Sequence, residues 1–168
     1  MNSFKEKIAS CKKCSLSANK KPLAGWGRGS EIFILGLAPS DFRSGDYEGA
    51  MKPISESDTA NTLMNCLKDC RLHEKDFYIT NLVKCSFPEN KLDRSIFDIC
   101  YNEWLMKEII SVTPKKIICL GKEVYDFLSE KEYLEDLFDI KEVWHHSYIA
   151  RNRQKYGEWV NQWKTILT

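Results

Sequence analysis

Glu31-Ile32-Phe33-Ile34-Leu35-Gly36-Leu37-Ala38-Pro39-Ser40 is the stretch that decides the fold. Its first half is a short apolar run bounded by Gly29 and Pro39, too brief for a helix and rich in β-branched and aromatic side chains, so it reads as a buried strand. The Gly-x-Ala-Pro-Ser segment that follows cannot continue a strand and reads as a loop.

Outward from this run the same signal recurs. Strands are expected at Asp76–Asn81, at Lys115–Gly121 after Pro114, and, more weakly, at Ile140–Trp144. Helical patterns separate them. Asn61–Cys70 follows the capping-type residues Ser57 and Asp58; in 94–112, Phe97, Tyr101, Leu105 and Ile109 repeat every four residues; a third helix runs from Glu123 to Leu128. The last, 153–167, carries Tyr156, Trp159, Val160, Trp163, Ile166 and Leu167 on one stripe, a core face rather than a base-stacking surface. Strands alternating with helices predict an α/β fold: a three-layer α/β/α sandwich with a central four-stranded, mostly parallel sheet. Ligands of such sheets bind beyond the carboxyl ends of the strands.

The chain has 168 residues, 43% hydrophobic and 29% charged, a size that predicts one domain over 1–168 with a core of its own. No apolar run approaches the roughly 18 residues of a membrane span, and the Lys-rich N-terminus is not followed by an apolar stretch, so no membrane association is expected. Seven cysteines without a secretory signal predict a reducing, cytoplasmic setting in which thiols serve as ligands rather than disulfides. The net charge of +1 hides an asymmetry: residues 1–28 carry seven Lys/Arg against Glu6 alone, whereas 123–142 is strongly acidic. Basic ends on a near-neutral chain suit an anionic partner such as nucleic acid. Nothing demands more than a monomer.

Four of the cysteines are spaced as Cys11-x2-Cys14 and Cys85-x14-Cys100. Two thiolates two residues apart need a second pair to close a tetrahedral site, which holds zinc or an iron–sulfur cluster. The second pair is too widely spaced for an ordinary zinc ribbon, but spacing alone does not separate the two. Cys66, Cys70 and Cys119 lie in apolar-periodic or strand context and are expected in the core.

The unusual residues fall just after the strands: Gly36–Ser40 with Asp41 and Asp46, then Asn81 and Lys84-Cys85, then Gly121-Lys122, then His145-His-Ser-Tyr-Ile-Ala-Arg151. Cys11/Cys14, the Gly-x-Ala-Pro loop, Thr80-Asn-x-x-Lys-Cys85, Cys100, Leu120-Gly121 and a His-x-Ser segment followed by Arg occur in register. In this the chain resembles the iron–sulfur uracil-DNA glycosylases, families 4 and 5. The resemblance implies a 4Fe–4S cluster on Cys11, Cys14, Cys85 and Cys100, and DNA, single- or double-stranded, as the partner. It also implies hydrolysis of the N-glycosidic bond of a flipped-out base. Asn81 offers both a donor and an acceptor to a pyrimidine edge, and the base pocket would comprise Gly36, Leu37, Ala38, Ile54 and Asn81. His145 would stabilise charge on the departing base; His146 stands where the family pattern has Pro. Ser40 and Ser147 would pinch phosphates, and Tyr148 or Ile149 would wedge into the gap. Arg151, Arg153 and Lys155 would add backbone affinity.

Two positions depart from the pattern. Leu37 stands where family 4 carries a catalytic carboxylate, leaving Asp41 or Asp46 as candidate replacements; family 5 lacks that acid too. Ile54, in Lys52-Pro-Ile-Ser55, replaces an aromatic that stacks on uracil, a contact worth about 1–3 kcal/mol per base. A bulky modified base of viral DNA, or DNA binding without catalysis, are the alternative readings.

Overall fold

The computed structural model describes residues 2–18, 21–39, 58–87 and 93–168. Five strands form one sheet: β1 (Trp26–Gly27), β2 (Ile32–Gly36), β3 (Phe77–Asn81), β4 (Lys116–Leu120) and β5 (Asp139–Val143). Their order is β1-β3-β2-β4-β5. The four expected strands are all parallel to one another, and β1 adds a short antiparallel edge to β3. Among the described residues the sheet therefore has five strands, not four. Two residues are too few to show periodicity, and β1 depends on tertiary contact: Trp26 pairs with Ile79 and packs edge-on against Phe77 at 5.6 Å.

β2 lies at the centre, and its alternation divides the core. Phe33 and Leu35 face one layer with Tyr78, Ile117 and Cys119, beneath the helices α3 (Arg94–Cys100), α4 (Met106–Val112) and α5 (Lys122–Ser129). Ile34 faces the other with Phe77, Ile79, Ile118 and Val143, beneath α2 (Asp58–Asp69), α7 (His146–Arg151) and α8 (Tyr156–Leu167). Both faces are covered, as continuous apolar strands require. Trp159 and Trp163 of α8 are fully buried in the second layer, as expected. Cys66 and Cys119 are also fully buried, whereas Cys70 is only half-buried.

The helix expected over 94–112 is continuous but not uniformly α. It starts at Asp93, whose side chain accepts from Ser95 N–H at 2.9 Å, and ends at Thr113 in the left-handed conformation before Pro114. Between α3 and α4, Tyr101–Leu105 is a π-turn. A strict four-residue spacing outruns the 3.6-residue α-turn, and the wider π-turn absorbs the excess while keeping Tyr101, Leu105 and Ile109 buried. Among the described residues, α1 (Asn2–Ala9), the 3-10 turn Ser15–Ala18, α6 (Glu132–Glu135) and α7 are short elements that the sequence periodicity does not announce. No helix among the described residues is long and apolar enough to cross a membrane.

Candidate active site at the carboxyl edge of the sheet

Strand register brings the flagged residues to one edge. Gly36 is paired with Asn81, Leu35 with Cys119, and Leu120 with Val143, so β2, β3, β4 and β5 end on nearly the same rung. From β2 the chain leaves through α2 on one face, and from β4 through α5 on the other, so the crevice of this topology opens between their ends.

Asn81 closes β3 with its side chain 1% exposed, and neither its Oδ1 nor its Nδ2 has a hydrogen-bond partner. A buried polar atom left unpaired costs about 1–3 kcal/mol. Ser129 Oγ, His146 Nδ1 and Trp163 Nε1 are single orphans among the described residues; Asn81 leaves a whole amide open. The room beside it exists because residue 36 is glycine: a Cβ there would lie 2.5 Å from Asn81 Oδ1. The main chain that follows each strand is laced together, with Leu82 N–H donating to the Gly36 carbonyl and Val83 N–H to the Leu37 carbonyl, both at 2.8 Å. Leu37 and Ala38 are half-buried on this loop. The Leu37 side chain has no atom that can hold a water or a developing cation.

His145 caps α7 beyond the end of β5 and packs against Gly121, which has φ +96° and whose missing Cβ would lie 3.3 Å from that of His145. Ser147 N–H donates to His145 Nδ1 at 3.1 Å, and Ser147 Oγ lies 2.6 Å from the same nitrogen. Nδ1 is thus an acceptor. Burial, with Arg151 adding repulsion, pushes the imidazole pKa down to about 4. A neutral ring whose Nδ1 accepts carries its proton on Nε2. His146 stacks on it, ring centroids 4.2 Å apart, and is held still lower, to about 3, by burial and then by His145. Tyr148 is 39% exposed beside Trp144, and Arg151 and Arg153 are exposed on the same segment. Ser40, Asp41, Asp46 and Ile54 lie outside the described residues.

The four cysteines come from three separate segments. Cys11 and Cys14 follow α1, Cys85 ends the turn after β3, and Cys100 ends α3. Burial pushes the Cys85 thiol up to about 12, with further increments from Cys14, Cys100 and Cys11. Cys100 is also raised, chiefly by burial, and opposed by the Lys84 main-chain N–H and the Lys84 charge. Trp104 Nε1–H donates to Cys11 Sγ at 3.1 Å. Among the described residues no three His, Cys, Asp or Glu converge tightly enough to grip a single ion. The donor set is four thiols, half-buried to buried, and two N–H groups aimed at sulfur, which suits a soft, anionic, sulfur-rich group.

A buried network was not legible beforehand. Lys84 is 0% and Glu108 1% exposed, and the two form an ion pair beneath the end of β3. Lys84 was visible only as part of Lys84-Cys85. Glu108 offered one signal: an acid beside Ile109 on the apolar stripe of a helix.

The fold resembles that of wild-type Pedobacter heparinus SMUG2, with a TM-score of 0.58 and 17% identity over 82% of this chain and 74% of that one. A type-4 uracil-DNA glycosylase of Sulfurisphaera tokodaii is 29% identical over 159 residues, 92% of this chain and 69% of the relative. One of Saccharolobus solfataricus is 32% identical over 130 residues, 75% of this chain and 57% of the relative. Residues 25–166, which span all five strands, the Asn81 and His145 segments, Cys85 and Cys100, match the model of the uracil DNA glycosylase superfamily, and the chain belongs to that family.

Proposed function

We propose that this protein is a DNA glycosylase that takes uracil, or a closely related pyrimidine, out of the DNA stack and hydrolyses its N-glycosidic bond. The observation that carries this reading is the open amide of Asn81, fully buried, unpaired and given room by Gly36. Such an amide matches the O4 acceptor and N3–H donor of uracil, and an extruded base supplies both partners that the protein withholds. The names of the type-4 relatives support the same substrate.

In the reaction the bond between N1 and C1′ breaks, its electron pair leaves with the base, and water adds to C1′ and gives up a proton, leaving an abasic site and the base in its protonated, neutral form. Charge grows on the base, chiefly at O2. A neutral His145 with its proton on Nε2 is a donor that needs no prior titration to meet that charge. The Leu37 side chain provides no base for the water, so among the described residues the rate comes from base binding and leaving-group stabilisation. Tyr148 is the exposed wedge candidate, and Arg151, Arg153 and the basic N-terminal segment supply sequence-independent affinity for phosphates.

Cys11, Cys14, Cys85 and Cys100 would hold a 4Fe–4S cluster, whose contribution is to tie the N-terminal segment, the turn after β3 and the end of α3 into one unit. We read residues 1–168 as a single domain acting as a monomer.

The test is incubation of the purified protein with labelled oligonucleotides carrying uracil in single strands and opposite G or A, with alkali revealing abasic sites. Strand breaks from the parent and far slower ones from Asn81→Ala are expected. No breaks from brown, DNA-binding protein would overturn uracil as the substrate. In that event Leu37 would favour a modified base or a binding role.

A further inference from the structure

The geometry points to Lys84 and Glu108 as positioning residues for the base pocket: a buried ion pair that clamps the main chain of Asn81 so that its side-chain amide stays open for the base. This rests on the glycosylase reading of that pocket.

Lys84 Nζ donates to the Asn81 carbonyl at 2.6 Å, to Thr80 Oγ1 at 2.9 Å, and to Glu108 Oε2. An ammonium has three protons, and all three are placed. Glu108 Oε1 accepts Gly25 N–H at 3.0 Å and the Tyr78 hydroxyl at 2.9 Å, and Thr80 Oγ1 sits 3.1 Å from Oε2. The hydroxyl of Tyr78 is kept protonated by burial and by the Glu108 charge, so it remains a donor. The network thus joins the loop before β1, the middle and end of β3, the turn to Cys85, and α4. Every charged atom in it is satisfied.

The contrast with Asn81 carries the inference. Within one residue of a fully satisfied network, both polar atoms of a buried amide have no partner. The Asn81 carbonyl is fixed by Lys84 and the next two amides by Gly36 and Leu37, so the main chain has no freedom to swing the amide toward a local partner. A buried ion pair is a costly way to fill a core, since apolar residues of similar volume are commonly as stable or more so. Its geometric specificity is what an apolar core lacks. Lys84 also reaches the cysteine group, because its own N–H meets Cys100 and its neighbour is Cys85. One residue therefore links the pocket to the thiol quartet.

The decisive variant is Lys84→Met/Glu108→Leu in the full chain, alongside Asn81→Ala and the triple variant. The apolar pair removes both charges together and should fold and keep the brown colour of the parent, at a lower thermal midpoint because Gly25 N–H, the Tyr78 and Thr80 hydroxyls and the Asn81 carbonyl lose their partners. Single-turnover release of uracil should nevertheless stay about a hundredfold slow, as a small misplacement of a binding group costs, with affinity for an abasic oligonucleotide little changed. In the triple variant the two lesions should not multiply, because both remove the same amide from its place. Exchange of the Leu82 and Val83 amides with deuterium should quicken in the apolar variant. Parental release from the folded, brown apolar variant would overturn the inference, since the pair would then only fill space; so would lesions that multiply. A parent that releases no uracil would sink the glycosylase reading alone. Amide exchange then decides the clamp, and unchanged exchange in the apolar variant would overturn it.

Discussion

Gly36 and Asn81 sit opposite one another in the register of β2 and β3, and the amide of Asn81 occupies the volume that any side chain at position 36 would need. A Cβ 2.5 Å from Oδ1 forces the amide aside, and the displaced atom is the end of a short side chain rather than main chain. Gly36→Ala is therefore expected to leave folding nearly intact while slowing excision by about a hundredfold. Thermal denaturation and single-turnover kinetics on one preparation check this. Parental kinetics would remove Asn81 from the pocket.

Replacing His145 with Ala should lower the rate of bond cleavage by about a hundredfold or more, the usual cost of one donor to a developing anion. His146→Ala should cost less, because Ser147 orients only the first ring. An equal loss from His146→Ala alone would transfer the role.

The excision rate of the parent should show no limb near pH 6.5 that belongs to His145. With its pKa pushed down to about 4, the ring is neutral and its Nε2–H available throughout neutral and mildly acidic conditions. A pH–rate profile flat from about 5.5 to 8 is the expected outcome. A limb near 6.5 would show that the ring titrates as an exposed histidine does.

Stability should fall on acidification before the carboxylates titrate. Both histidines have folded pKa values, about 4 and about 3, below the ordinary 6.5. Between those values the unfolded chain binds more protons than the folded one, so stability is fully present above about 6.5 and is lost progressively as pH drops toward 4. Urea midpoints at several pH values should decline over this window, and His145→Gln/His146→Gln should flatten that decline. An unchanged slope in the double variant would count against the burial of these rings.

Cys85→Ala should lose the brown absorbance and acid-labile sulfide and unfold at lower temperature, because three segments lose their common tether. Trp104→Phe should keep the cluster but lower its reduction potential, since the N–H to Cys11 sulfur favours the more negative, reduced state. A soluble, brown Cys85→Ala protein would remove Cys85 from the ligand set.

The sequence by itself determined the layers and the chemistry-bearing edge of this protein. β-branched runs ending in Gly36, Asn81 and Leu120, with helical periods between them, specify parallel strands buried on both faces, and the spacing of Cys11, Cys14, Cys85 and Cys100 marks a thiolate site. Both signals are local, written within a few residues by the pleat or the helical turn. Only the tertiary structure decided the rest. β1 exists because Trp26 finds β3, the tautomer of His145 follows from the turn that brings Ser147 N–H onto it, and Glu108 is matched with Lys84 across 24 residues and with Gly25 across 83. The reason is physical. Periodicity reports which side of an element is buried, but the partner of a buried polar group is chosen by whichever distant segment packs against it, and hydrogen-bond geometry at that contact carries no trace in local sequence.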